Sequence, residues 1–117
     1  MAEFNVEVDT LKTQSNLAIL RLSGSLDSYS VGQLEKVFSE LMTDQKIHLV
    51  VNCQKIKFIS SAGIGLFLGT LSELEKQGGS LCLAEVVSPE VRDVMSVLGL
   101  FDVFRVFEQE TEALRKN

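Results

Sequence analysis

The feature that most narrows the fold is the run "KIHLVVNC" at residues 46–53, where apolar side chains follow one another almost without polar alternation. A strand with one wet face alternates, whereas a strand covered on both faces reads as a continuous Val/Ile/Leu stretch. Such a strand belongs to a sheet whose neighbours are joined by helical crossovers. The run is therefore read as a central strand, followed by a polar break at "QKIK" and by an extended continuation that ends at Phe58 and Ile59.

The flanking segments agree with that frame. A short strand is expected at Phe4 to Val8, and "NLAILRLSG" alternates Ala18, Leu20 and Leu22 against Leu17, Ile19 and Arg21 before ending at Gly24. Too few residues separate these two strands for a helix, so they pair antiparallel. After the loop "SLDS", Ser30 and Gln33 fit a capping box, and Val31, Leu34, Val37, Phe38 and Leu41 recur at helical spacing. A second helix runs from Ser61 to Lys76 with Ile64, Phe67, Leu68, Leu71 and Leu74 on one face, and it stops at Gly78 and Gly79.

"SLCLAEV" reads as the next strand. Ser88 and Pro89 open a third helix, with Val91, Val94, Met95 and Leu98 as its apolar face and Gly99 at its end. A short strand near Phe104 to Val106 and a charged helix from about Glu108 to Arg115 follow. The expected fold is α/β: a mixed, mainly parallel sheet of four to five strands flanked by about four helices, forming one domain over residues 1–117.

Composition narrows the partners. Eleven basic and sixteen acidic side chains give a net charge of -5, which opposes nucleic acid or an anionic membrane surface as the main partner. The apolar runs fall short of the roughly 20 residues that span a bilayer, and the acidic start "MAEFNVEVD" is unlike a signal peptide, so a cytoplasmic protein is expected. With Cys53, Cys82 and a lone His48, no site of four soft ligands can be assembled, and no cofactor is expected. The two cysteines read as buried, reduced thiols.

"FISSAGIGLF", residues 58–67, places Gly63 and Gly65 where a helix begins, and Gly69 soon after. A serine at a strand-to-helix junction ordinarily caps the helix. Three glycines inside a helix nonetheless forfeit about 2 kcal/mol relative to alanine, so something should require the missing side chains. At about 100° per residue, Ser61, Gly65, Gly69 and Ser72 share one strip beside the apolar stripe, where either a neighbouring element or another protein comes close. Leu66 falls away from the core stripe with Ala62, Thr70 and Glu73. Hydrolytic chemistry is disfavoured: Ile59 occupies the first glycine position of a nucleophile elbow, and His48 lies at the far end of the central strand from Ser61.

The segment from "FISSAGIG" through "GLFDVFRVF", preceded by "GSLDSYS" and "HLVVNC", resembles a bacterial STAS domain of the single-domain anti-sigma factor antagonist kind, over nearly the whole chain. The resemblance implies that Ser61 is the phosphoacceptor, and that Asp27, Ser60, Ala62, Gly63, Gly65, Leu66 and Gly69 contribute to partner binding. Ser60 departs from the family pattern, which has aspartate there.

The resemblance also implies a cycle and a set of partners. The unmodified antagonist binds an anti-sigma factor serine kinase and frees a sigma factor. Phosphorylation ends the binding, and a serine phosphatase of the metal-dependent class restores it. The antagonist is then a substrate and not an enzyme. A second reading remains open, that of an unphosphorylated STAS interaction subunit in a transporter or signalling complex.

Overall fold

The structure is a computed structural model that describes residues 3–116. Strands β1 (Asn5–Leu11) and β2 (Gln14–Leu26) form an antiparallel hairpin. Strands β3 (His48–Ile59), β4 (Ser80–Ala84) and β5 (Val106–Phe107) then add in parallel, giving one mixed sheet in the order β1-β2-β3-β4-β5. Helices α1 (Val31–Thr43), α2 (Ser61–Lys76) and α3 (Pro89–Val97) connect the parallel strands, and α4 (Glu110–Lys116) follows β5.

Both faces of the sheet are covered, as the unbroken apolar run requires. Ala18, Leu20 and Leu22 of β2 and Leu49 and Val51 of β3 enter a large core closed by α1, α2 and α3. Leu17, Ile19 and Val50 point the other way, into a smaller core that Ala113 and Leu114 of α4 help to close. Alternation in β2 thus separates two buried faces rather than a dry face from a wet one. Phe67 sits between Phe38 and Phe104 in edge contacts with centroids 6.4 Å apart in each pair, locking α2 to α1 and to the turn after α3.

Several sequence expectations are corrected. The polar residues of "QKIK" do not break the strand. β3 pairs with β4 only as far as Asn52↔Ala84, then projects past the end of β4 while still paired with β2. Gln54, Lys55 and Lys57 therefore lie exposed within a continuous twelve-residue strand.

The capping box at Ser30 is absent. Its backbone is already helical, at φ -102 and ψ -14, and its hydroxyl makes no cap bond to the helix. On α2 the buried stripe runs through Gly63, Ile64, Phe67, Thr70 and Leu74, so Thr70 is inside and Leu68 is exposed. Leu98 also faces solvent. Gly99, at φ +70, turns the chain into a short 3-10 turn (Leu100–Asp102), and Leu100 takes the core position instead. The last strand is Val106–Phe107 because Phe104 is spent in the core.

Cys53 and Cys82 are buried on opposite faces of the sheet and neither is in a disulfide. Burial pushes the Cys53 thiol up to about 12, which leaves it protonated and inert at neutral pH. His48 Nδ1 lies 2.8 Å from Ser80 Oγ, so the imidazole is held between two strands. Among the described residues, no helix is long and apolar enough to cross a membrane.

Candidate functional site

The leading end of α2 is fixed by the strand that precedes it. Because β3 runs on beside β2, Ser60 N–H donates to Leu26 O at 2.8 Å, which pins the strand-to-helix junction to the end of β2. Ser60 is extended, at φ -91 and ψ 173, and its Oγ accepts from Gly63 N–H at 3.4 Å. Ser60 is thus the N-cap, in the half-in position that leaves Ser61 as the first helical residue.

Ser61 is exposed, and its hydroxyl makes no hydrogen bond among the described residues. The unpaired amides of a first turn give this end partial positive charge, and no acidic side chain in that turn offsets it. The arrangement leaves a free hydroxyl in a field that favours an anion.

Asp27 belongs to the loop that follows Leu26, so the Ser60–Leu26 bond brings that loop beside the junction. Its Oδ1 accepts from Tyr29 N–H at 2.9 Å and from Ser30 N–H at 3.1 Å. Ser30 Oγ in turn donates to Ser25 O at 2.8 Å and accepts from Asp27 N–H at 2.9 Å. Asp27 therefore shapes the loop and keeps its second carboxylate oxygen outside these bonds. Tyr29, 94% exposed on the same loop, was not singled out by the sequence, where nothing distinguishes it from an ordinary turn residue.

The three glycines separate into two kinds. Gly63 is buried, and a Cβ there would stand 2.9 Å from the Leu26 side chain and 3.0 Å from Ile59, so it is a packing residue. Its expected place on a partner-facing surface is corrected on that ground. Gly65 and Gly69 are exposed, and a Cβ at either would meet no atom within 4 Å. Ala62 is exposed beside them, and Leu66 is half-buried, packed at the margin of the large core.

A second polar cluster lies on the α4 side. Arg21 forks onto Glu110, with Nε to Oε1 at 3.0 Å and Nη2 to Oε2 at 2.9 Å, and Asn52 Nδ2 donates to the same carboxylate at 2.9 Å. The Arg21 hydrogen bonds hold Glu110 below the usual carboxylate range, against an opposing effect of burial. Glu85, in a left-handed backbone conformation at φ +57, accepts from Glu110 N–H at 2.9 Å. These bonds fasten α4 to the sheet and leave the Ser61 region untouched. Sequence reasoning missed the cluster, whose principal partners are 89 positions apart.

A mixed five-stranded sheet with this helical arrangement and a serine-led helix after its central strand defines the class. The chain belongs to the STAS domain family, whose profile matches residues 9–113. An anti-sigma-B factor antagonist from Staphylococcus aureus is 31% identical over 104 residues, covering 89% of this chain and 94% of the relative. The solved structure of the anti-sigma factor antagonist SpoIIAA in its unphosphorylated form is 29% identical, with a TM-score of 0.78 and coverage of 97% of this chain and 95% of that one. SpoIIAA from Bacillus in the phosphorylated form aligns at 28% identity and a TM-score of 0.71, covering 97% of this chain and 98% of that one.

Proposed function

We propose that this protein is an anti-sigma factor antagonist controlled by phosphorylation on Ser61. In the unmodified state it binds an anti-sigma factor that is also a serine kinase, and so releases a sigma factor. Transfer of the γ-phosphoryl group from ATP to Ser61 Oγ, with ADP leaving and the hydroxyl proton lost, ends the association. A serine phosphatase of the metal-dependent class restores the hydroxyl by hydrolysing the phosphoester with water, releasing inorganic phosphate, and the cycle runs in the cytoplasm. The protein is a substrate and a binding surface within this cycle, and it performs no catalysis itself.

The observation that carries the reading is the unbonded, exposed Ser61 hydroxyl at the start of α2, next to a serine that already caps the helix. Phosphate there adds about -1.5 to -2 charge, which a helix amino terminus accommodates with a gain of roughly 0.3–1 kcal/mol. Within a docked surface the same charge must be desolvated, so the fold tolerates what the complex does not. The relatives named as anti-sigma antagonists, and the phosphorylated form recorded for one of them, support the assignment. Incubation with the cognate anti-sigma kinase and ATP, followed by peptide mapping in a mass spectrometer, is expected to place the phosphate on Ser61. Label confined to any other residue defeats the proposal.

One departure favours a second reading. With Ser60 in place of an acidic residue, no carboxylate borders the hydroxyl along the chain, as suits an interaction subunit that is never phosphorylated. A Ser61→Ala protein equal to wild type in every partner assay supports that alternative.

A further inference from the structure

The four helices are not held alike. α1, α2 and α3 each bury large apolar side chains in the large core, Phe38, Phe67 and Met95 among them, whereas the seven residues of α4 bury only Ala113, with Leu114 half-buried beside it. A helix so short is marginal by itself. Its leading end is held by polar bonds: the Glu110 carboxylate accepts the Arg21 fork and Asn52 Nδ2, and the Glu110 N–H donates to Glu85 Oε2 at 2.9 Å. This latch is wet on one side, where a cleft of about 380 Å³ lined by Arg21, Asn52, Lys55 and Glu85 opens beside it. At the other end, Arg105 Nη2 donates to Lys116 O at 3.3 Å, an exposed bond. Between β5 and α4, Glu108 and Gln109 are exposed and belong to neither element.

From this contrast we infer that α4 is a hinged cover: when the Glu110 latch parts, it swings off the sheet as a unit about Glu108 and Gln109, uncovering the smaller core while the remainder of the domain stays folded. The opening costs one charge-assisted cluster and a small apolar seam, so its free energy lies below that of global unfolding. β5 stays behind, because Arg105 O and Phe107 O accept from Leu83 N–H and Glu85 N–H at 2.9 Å each. The face laid open carries Leu17, Ile19, Val50 and Ala84, and it lies across the sheet from α2, so it opens without disturbing Ser61. Each core also holds one thiol. Cys82 is 1% exposed beneath α4 and Cys53 is 4% exposed in the large core, so the pair reports on the two faces separately.

The test is native-state labelling of the full chain with N-ethylmaleimide, followed at each cysteine by peptide mass mapping and scaled to the rates in the urea-unfolded chain. Cys82 is expected to react about tenfold or more faster than Cys53, with a rate that hardly rises in urea below the unfolding transition, since little surface is exposed when α4 lifts. Glu110→Gln, which removes the charge from the latch, is expected to speed Cys82 severalfold. Val91→Ala, which loosens the large core and leaves α4 alone, is expected to speed Cys53 and not Cys82. Equal rates at the two thiols that climb together in urea, or a Val91→Ala effect shared by both, mean that only global unfolding exposes them and overturn the inference. A fast Cys82 that Glu110→Gln does not change shows entry by another path and overturns it as well.

Discussion

Ser30 before α1 and Ser61 at the head of α2 stand at adjacent helix beginnings, yet their surroundings are opposite. Ser30 is 9% exposed, and its hydroxyl binds Ser25 O, the Asp27 amide and the Asp27 carboxylate. Ser61 is exposed, and the capping duty of its helix is already met by Ser60. A helix start supplies a positive end in both cases, so the dipole alone does not mark a switch. What separates Ser61 from Ser30 is a hydroxyl that the fold does not use. Phosphorylating Ser30 would break several bonds, each of net worth about 0.5–1.5 kcal/mol, and would force charge into a packed loop. Phosphorylating Ser61 breaks none.

The sharpest way to break that comparison is to remove the free hydroxyl. Ser61→Ala is expected to abolish phosphate incorporation by the kinase, read by intact-mass spectrometry, while stability changes by no more than about 0.5 kcal/mol, as for an exposed site without partners. Transfer of the label to Ser30 in that variant would refute the contrast. Ser30→Ala is expected to do the reverse. It leaves the Asp27 amide and Ser25 carbonyl without their hydroxyl partner and costs about 2 kcal/mol, seen as a lower urea midpoint with an unchanged slope.

Ser60→Ala tests the intermediate case. The cap bond is long, at 3.4 Å, so its loss should cost about 0.5–1 kcal/mol, and Ser60→Asp should recover that amount by placing an acceptor and a charge at the same end. Both values can be read from thermal unfolding. The smallest effect is expected far from these serines, at Glu110. Arg21 lowers its folded pKa, so its stabilisation is complete above the unfolded carboxylate value of about 4.3 and is lost as pH falls through the lowered folded value. Acid unfolding monitored by circular dichroism should lose that part of its pH dependence in Glu110→Gln, with Ser61 phosphorylation at neutral pH unaltered.

Much of this architecture was legible because it rests on local pattern. The apolar run of β3 gave a strand covered on both faces, and the α2 boundaries, Ser61 to Lys76, agree with the sequence reading to the residue. What escaped depends on contacts distant in sequence. Ser30 and Gln33 carry the letters of a capping box, but Asp27 already organises the turn and leaves Ser30 helical. "SAGIGLFLG" cannot reveal that Gly63 rests on Leu26 while Gly65 and Gly69 meet nothing, since the difference lies in what faces them. Likewise Thr70, polar in sequence, is buried on the side of α2 that faces α1, where Val31, Phe38 and Met42 stand.

The most direct measurement installs phosphoserine at position 61 and compares that protein with the unmodified chain in two assays, affinity for the anti-sigma factor and thermal unfolding. The account predicts affinity reduced more than about a hundredfold, a change of roughly 3 kcal/mol, with circular dichroism and melting temperature essentially retained. Undiminished affinity, or a modified protein that no longer folds, would contradict it.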